Sequence, residues 1–253
     1  MIFTLLFDNG FFMLSRNFRL QKVGDLRWLQ KNYNFSSIAF SIDELIVLDV
    51  TRGERNNQLF CDHLKKLTEG CFIPIAAGGG VRSVEYAKLL LRSGADKVVI
   101  NSPLFDNPAL VNDLAAEFGQ QCLVGSIDVK STSEDDYQLF SENASLLKNG
   151  KLKDWLIKIN HLPVGELYLN SMDKDGTGQG YDLIMLKHLP ESFSIPVILA
   201  GGAGNFNHLA EGLSDPRVDA VATAHLFNFV GDGLKTARQA LLNNNFNLAE
   251  WNL

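Results

Sequence analysis

Short apolar runs alternate along this chain with longer stretches of mixed polarity. The runs are rich in Val, Ile, Leu and Phe and fall at Ile2–Phe7, Glu44–Asp49, Ile73–Ala77, Lys97–Asn101, Cys122–Asp128, Glu166–Asn170, Pro196–Ala200 and Asp219–Thr223. Most are nearly continuous in apolar residues, which is the pattern of parallel strands covered by helices. Between them, helical spacing is clearest at Asn56–Glu69, Ser83–Ser93, Pro108–Phe118, Lys151–Asn160 and Phe206–Leu213. Ser83 and Asn205 stand where N-caps belong, and Gly94 and Gly119 where helices stop. Eight strands in regular βα alternation over 253 residues predict an α/β fold, a single closed (β/α)8 TIM barrel spanning residues 1–253. In that fold chemistry gathers at the C-terminal ends of the strands and in the loops that follow them.

The two halves of the pattern, about 1–120 and 121–253, repeat each other. Ile75-Ala76-Ala77-Gly78-Gly79-Gly80 in one half answers Ile198-Leu199-Ala200-Gly201-Gly202-Ala203-Gly204 in the other, each after an Ile-Pro pair and before a helical stretch. Glycine lets backbone N–H groups approach an anion, and a helix start adds partial positive charge. Two such loops predict a ligand with a phosphate at each end, cradled by Gly79 and Gly80 and by Gly202 and Gly204. About twenty residues after each loop come Asn101-Ser102 and Thr223-Ala224, which would complete each cup. Each of these also reads as ordinary loop polarity.

Composition narrows the classes. A formal net charge of −6 argues against a general nucleic-acid binder. Cys61, Cys71 and Cys122 are far apart and read as reduced thiols of a cytosolic, cytoplasmic protein. The opening run Met1–Phe7 lacks the features of a signal peptide, and no run reaches membrane-spanning length. The five histidines are scattered without metal-binding spacing, and no dinucleotide fingerprint follows the first strand. No metal and no cofactor are therefore expected. Phe227 and Phe229 read as packing behind the last strand.

The chain resembles the cyclase subunit of imidazole glycerol phosphate synthase, the HisF family, over nearly its whole length. The resemblance is carried by Asp43-Glu44-Leu45-Ile46-Val47-Leu48-Asp49, Gly78-Gly79-Gly80-Val81-Arg82-Ser83, Gly94-Ala95-Asp96-Lys97, Ile127-Asp128-Val129-Lys130, Ser171-Met172-Asp173-Lys174-Asp175-Gly176-Thr177 and Gly201-Gly202-Ala203-Gly204. It implies a barrel that receives ammonia from a glutaminase (HisH-like) subunit and passes it to a phosphorylated substrate at the opposite end, where Asp175 and Gly176 join the phosphate contacts. It further implies two catalytic aspartates, one chiefly a general acid on strand one and one a general base on strand five. Asp128 matches the second.

Strand one departs from the family. Anchored on its glycine, Leu5-Leu6-Phe7-Asp8-Asn9-Gly10 puts Leu6 where the acid belongs. A two-residue gap would instead bring Asp8 there, and Asp8 shares a strand face with Leu6. Asp8 reads equally as a turn residue before Asn9-Gly10. Asn170 and His225 stand where the family has threonine and serine. At the other end, Glu44, Lys97 and Glu166 match three of the four charges that guard the family's ammonia entrance, the fourth lying before residue 1. Asp96 matches a residue that faces the glutaminase.

An altered top and a kept bottom, with Leu6 in place of the acid, Gly125-Ser126-Ile127-Asp128, Phe140-Ser141-Glu142-Asn143 and Leu169-Asn170-Ser171, resemble the HisF-like branch that helps form acetamidino sugars for O-antigen and related glycans, with a sugar amidotransferase as a further partner. That is the preferred expectation. The alternatives are imidazole glycerol phosphate synthesis in histidine biosynthesis with Asp8 as a shifted acid, a non-catalytic scaffold that activates a glutaminase, and a sugar-phosphate isomerase barrel.

Overall fold

The computed structural model describes residues 1–33, 38–69, 71–133 and 135–249. Among them, twelve strands form one sheet. Eight are parallel neighbours: β1 (Ile2–Asp8), β4 (Glu44–Asp49), β5 (Ile75–Gly78), β6 (Lys97–Ile100), β7 (Leu123–Ser133), β10 (Glu166–Ser171), β11 (Val197–Ala200) and β12 (Ala220–Thr223). Pairing of β1 with β12 and of β7 with β10 closes them into a barrel. The expected (β/α)8 fold is therefore present, and the strand positions agree within a few residues.

Continuous apolar runs form these strands because both faces are buried. On β1, Phe3, Leu5 and Phe7 are buried in the layer between barrel and helices. Phe7 meets Phe60 at a ring-centroid distance of 5.3 Å and Phe12 at 6.1 Å. Ile2 faces the barrel interior instead, with Ile46, Val99, Val124 and Ile198. Truncating Phe3 to Ala would cost about 3–5 kcal/mol through lost burial and an unfilled cavity.

The outer layer comprises α1 (Leu26–Asn32), α2 (Asn57–Thr68), α3 (Val84–Arg92), α4 (Pro103–Asp106), α5 (Pro108–Phe118), α6 (Leu152–Ile159), α7 (Phe206–Leu213) and α8 (Gly233–Asn243). Ser83 and Asn205 are the N-caps of α3 and α7, accepting from the N–H of Tyr86 and of His208. Gly119 is the C-cap of α5, and Gly94 lies just past α3 at φ 102°. The sixth βα unit has a short 3-10 turn, Ile184–His188, in place of an α-helix.

The half-barrel repeat extends to the backbone. Asp96 Oδ2 accepts the N–H of Ile75, and Asp219 Oδ2 accepts that of Val197, each at 2.8 Å. Leu45 and Leu167 donate to the carbonyls of Pro74 and Pro196.

Two insertions were not expected. β2 (Phe11–Arg16) and β3 (Arg19–Gly24) extend β1 into a meander, and β8 (Asp136–Ser141) and β9 (Leu146–Lys148) do the same for β7. The turn Asn9-Gly10, at φ 45° and 90°, carries the familiar hairpin signal. The next turn, Asn17-Phe18, has the same positive φ values without a glycine, and so does Glu142-Asn143-Ala144. Those turns therefore leave no composition signal. Phe227 also departs from expectation. Phe229 is buried, but Phe227 is 49% exposed and meets Trp28 edge-on.

Candidate active site

A cavity opens at the C-terminal ends of the barrel strands, and both hairpins contribute to its wall. Asp128 lies within it, near the end of the barrel portion of β7. Asn170 Nδ2 donates to its Oδ1 at 2.8 Å, and Asn101 Nδ2 reaches Oδ2 at 3.4 Å. Burial pushes the Asp128 carboxyl up to about 7, against the Asn170 hydrogen bond and with help from the negative charge of Asp175. A carboxyl group with that affinity populates both protonation states near neutral pH, as proton transfer requires.

Leu6 lines the same cavity, and Asp8 is not among its lining residues. Asp8 pairs with Phe11 beside the hairpin turn and accepts from Asn9 Nδ2 at 3.2 Å. Among the described residues, β1 thus brings leucine rather than a carboxylate to the cavity. Two further aspartates do line it. Asp49, at the end of β4, accepts the N–H of Thr51 at 2.9 Å, with Arg55 Nε 3.8 Å from its other oxygen. Burial raises its affinity for a proton. Asp175 accepts from Ser15 Oγ and from the N–H of Phe18, which ties the β2–β3 hairpin to the loop after β10. Burial raises Asp175 as well.

Both glycine loops reach the cavity. At the first, Gly79 and Gly80 have φ of 112° and 68° and lie with Asn101 and Ser102. A Cβ on Gly79 would collide with the Asp49 carbonyl, so this loop needs glycine for space as well as conformation. At the second, Gly202, Asp175, Gly176, Thr223, Ala224 and His225 line the wall. Gly204 does not, and its N–H already donates to His208 Nδ1. Thr223 Oγ1 donates to the Ala203 carbonyl at 3.0 Å. Burial holds the His225 imidazole below its ordinary value, which favours its neutral form.

Several cavity residues received no role from the sequence: Asp49, Arg52, Arg55, Arg82, Glu142, Asn143 and Tyr168. The two arginines of Thr51-Arg52-Gly53-Glu54-Arg55 follow a recognised strand, the place where barrel enzymes keep function, so a signal existed. Glu142 and Asn143 enter only because β8 and β9 fold back, which pattern alone does not reveal.

At the other end of the barrel the three charges expected to guard ammonia entry meet. Lys97 Nζ lies 2.6 Å from Glu44 Oε2 and 2.8 Å from Glu166 Oε1. All three open their strands. Asp96 adjoins them, its carboxylate bonded to the Ile75 N–H. Phe72, in the loop leading to β5 at this same end, is 84% exposed. Between these charges and the cavity the lumen is mainly apolar, with small Ala76, Ala200 and Ala222. It is crossed by a contact of 3.3 Å between Thr4 Oγ1 and Tyr168 Oη.

Among the described residues no cluster of three or more His, Cys, Asp or Glu could hold a metal ion. No described helix is long and apolar enough to cross a membrane.

A closed parallel barrel with a perturbed carboxylate at its C-terminal mouth defines a (β/α)8-barrel enzyme. The family model described as histidine biosynthesis protein matches residues 29–231, and the chain belongs to that family. A relative from Parasynechococcus marenigrum (strain WH8102), named "Putative imidazole glycerol phosphate synthase subunit hisF2", is 47% identical over 253 residues, all of this chain and 94% of that one. Two relatives are named imidazole glycerol phosphate synthase subunit HisF. The one from Lachnoclostridium phytofermentans is 42% identical over 74% of this chain and 73% of its own length. The one from Alkaliphilus metalliredigens is 35% identical over 88% and 86%. None of these names mentions sugar or glycan modification, so the preferred expectation from sequence gains nothing from them, and the histidine alternative fits them better.

Proposed function

We propose that this chain is the ammonia-accepting subunit of an imidazole glycerol phosphate synthase, working with a glutaminase subunit at the Lys97 end of the barrel. The observation that carries this reading is Asp128, half-buried between two glycine loops with its carboxyl raised to about 7. Asp128 serves as general base. The glycine loops, with Asn101, Ser102, Asp175 and Gly176 and with Thr223 and Ala224, hold the phosphates of the substrate. Ammonia enters past Lys97, Glu44 and Glu166. Neutral ammonia tolerates the apolar lumen, whereas ammonium would lose its hydration there. Asp96 and exposed Phe72 belong to the surface that the glutaminase covers. The names of the relatives support this reading.

One observation favours a second reading, ammonia delivery for amidation of a sugar in glycan synthesis. Leu6 occupies the cavity wall where the family's acid would stand, and a leucine cannot move a proton. Growth without histidine of a strain lacking its own cyclase, restored by this chain with its glutaminase, decides between the two. Restoration that disappears with Asp128→Asn supports histidine synthesis. Failure by a well-expressed, glutaminase-bound protein rejects it in favour of the sugar.

A further inference from the structure

The tip of the β8–β9 hairpin reaches into the first glycine cup. Glu142, Asn143 and Ala144 take positive φ values of 54°, 53° and 65°, a conformation that side-chain-bearing residues enter at a cost. Their contacts hold the turn in place. Asn143 Nδ2 donates to the carbonyls of Val50 and Thr51, each at 3.3 Å. Glu142 Oε1 accepts from Ser102 Oγ at 3.1 Å and is ion-paired with Arg82. Ser102 and Arg82 are two side-chain donors of the cup that holds Gly79 and Gly80. The protein's own carboxylate therefore engages groups that an incoming anion would use.

The neighbouring cation is placed differently. Arg55 packs its guanidinium over Gly80, 3.0 Å from where a Cβ would stand. Its Nε is buried with no hydrogen-bond partner, and its contact with Asp49 is long at 3.8 Å. A guanidinium with an unused donor suits a planar or tetrahedral oxyanion.

We infer that Glu142 is an internal competitor for the first anion cup: its carboxylate holds Arg82 and Ser102 and must leave them before a phosphate group binds. This rests on the reading of the glycine loops as phosphate cups. The two cups are then unequal. Among the described contacts no carboxylate is bonded to Thr223 or the Gly202 loop, and Asp175, the carboxylate in that wall, is held by Ser15 and Phe18 instead, so an anion entering the second cup displaces none.

The test is a titration of the 15N-labelled full chain with inorganic phosphate, following the amides of Gly80 and Ser102 separately from those of Gly202 and Ala224. Glu142→Gln keeps the length and a hydrogen-bonding group while removing the charge. Its first cup should bind phosphate about tenfold more tightly than wild type, with the second cup unchanged. Arg82→Ala added to Glu142→Gln should remove that gain. An unchanged or weaker first cup in Glu142→Gln, with the second cup still responding, overturns the inference and leaves the phosphate reading standing. Silence at both cups in both proteins overturns both. Amide spectra of the variant outside the hairpin serve as the folding check.

Discussion

The two ends of this barrel compensate buried charge differently. At the N-terminal end one lysine meets two glutamates within 2.9 Å, and all three are mostly buried. At the C-terminal end Asp49, Asp128 and Asp175 share a cavity, and burial lifts the proton affinity of each. Among the described residues, only Asp49 of the three is ion-paired with an arginine, at 3.8 Å. Burial raises Glu44 at the N-terminal end too, and its Oε1 has no hydrogen-bond partner, but there a lysine shared by both glutamates offsets the cost. Carboxylates held short of full compensation cost stability, and at Asp128 burial brings the carboxyl to about 7, where it can exchange protons near neutral pH.

The contrast can be broken most strongly at Asp128. Asp128→Asn should lower ammonia-driven formation of imidazole glycerol phosphate by at least about a hundredfold, the scale of a lost general base, while glutaminase binding persists. The same variant should be more heat-stable at pH 8. Below about pH 4 the carboxyl is protonated in folded and unfolded chains alike. As pH rises to about 7 the unfolded chain ionises freely while the folded one resists, and stability falls. The gain in melting temperature from Asp128→Asn should therefore grow from pH 4 to pH 7 and then level off.

At the other end, Lys97→Met leaves Glu44 and Glu166 facing each other without a cation. A loss of about 2–3 kcal/mol is expected from the unpaired buried charge, measurable by urea unfolding. The ratio of glutamine-driven to ammonia-driven rate should also fall, since only the first requires passage through the gate. An unaltered ratio would separate the ring from ammonia entry.

Phe72→Ala should weaken the glutaminase complex about tenfold, as removal of an exposed aromatic anchor does, with ammonia-driven activity kept. Calorimetric titration of one subunit into the other measures it. The smallest effect belongs to the repeat itself. Ser83→Ala and Asn205→Ala each remove one cap and should each cost about 1 kcal/mol. Equal losses would fit two halves built on one plan.

The barrel was legible because parallel strands buried on both faces leave unbroken apolar runs, as in Leu45-Ile46-Val47-Leu48. The meeting of Glu44, Lys97 and Glu166 was legible because the family resemblance singled out all three and each opens a strand. The mouth was harder to read. Its walls come from hairpins whose turns, Asn17-Phe18 and Glu142-Asn143-Ala144, adopt positive φ without glycine. β3 is exposed or half-buried throughout and mostly polar, so it has no apolar signature. Ser15, Glu142 and Asn143 reach the cavity only through those folds. Gly204 shows the reverse error: the motif suggested an anion donor, yet its N–H is already taken by His208.

The proposal of a single proton-transferring carboxylate, unaided by one from β1, is tested most directly by the pH dependence of ammonia-driven imidazole glycerol phosphate formation at fixed free ammonia. As a base Asp128 must be ionised, so the rate should climb through one inflection near pH 7, and that inflection should vanish in Asp128→Asn and survive in Asp8→Asn. A bell-shaped profile whose second limb disappears in Asp8→Asn would contradict it.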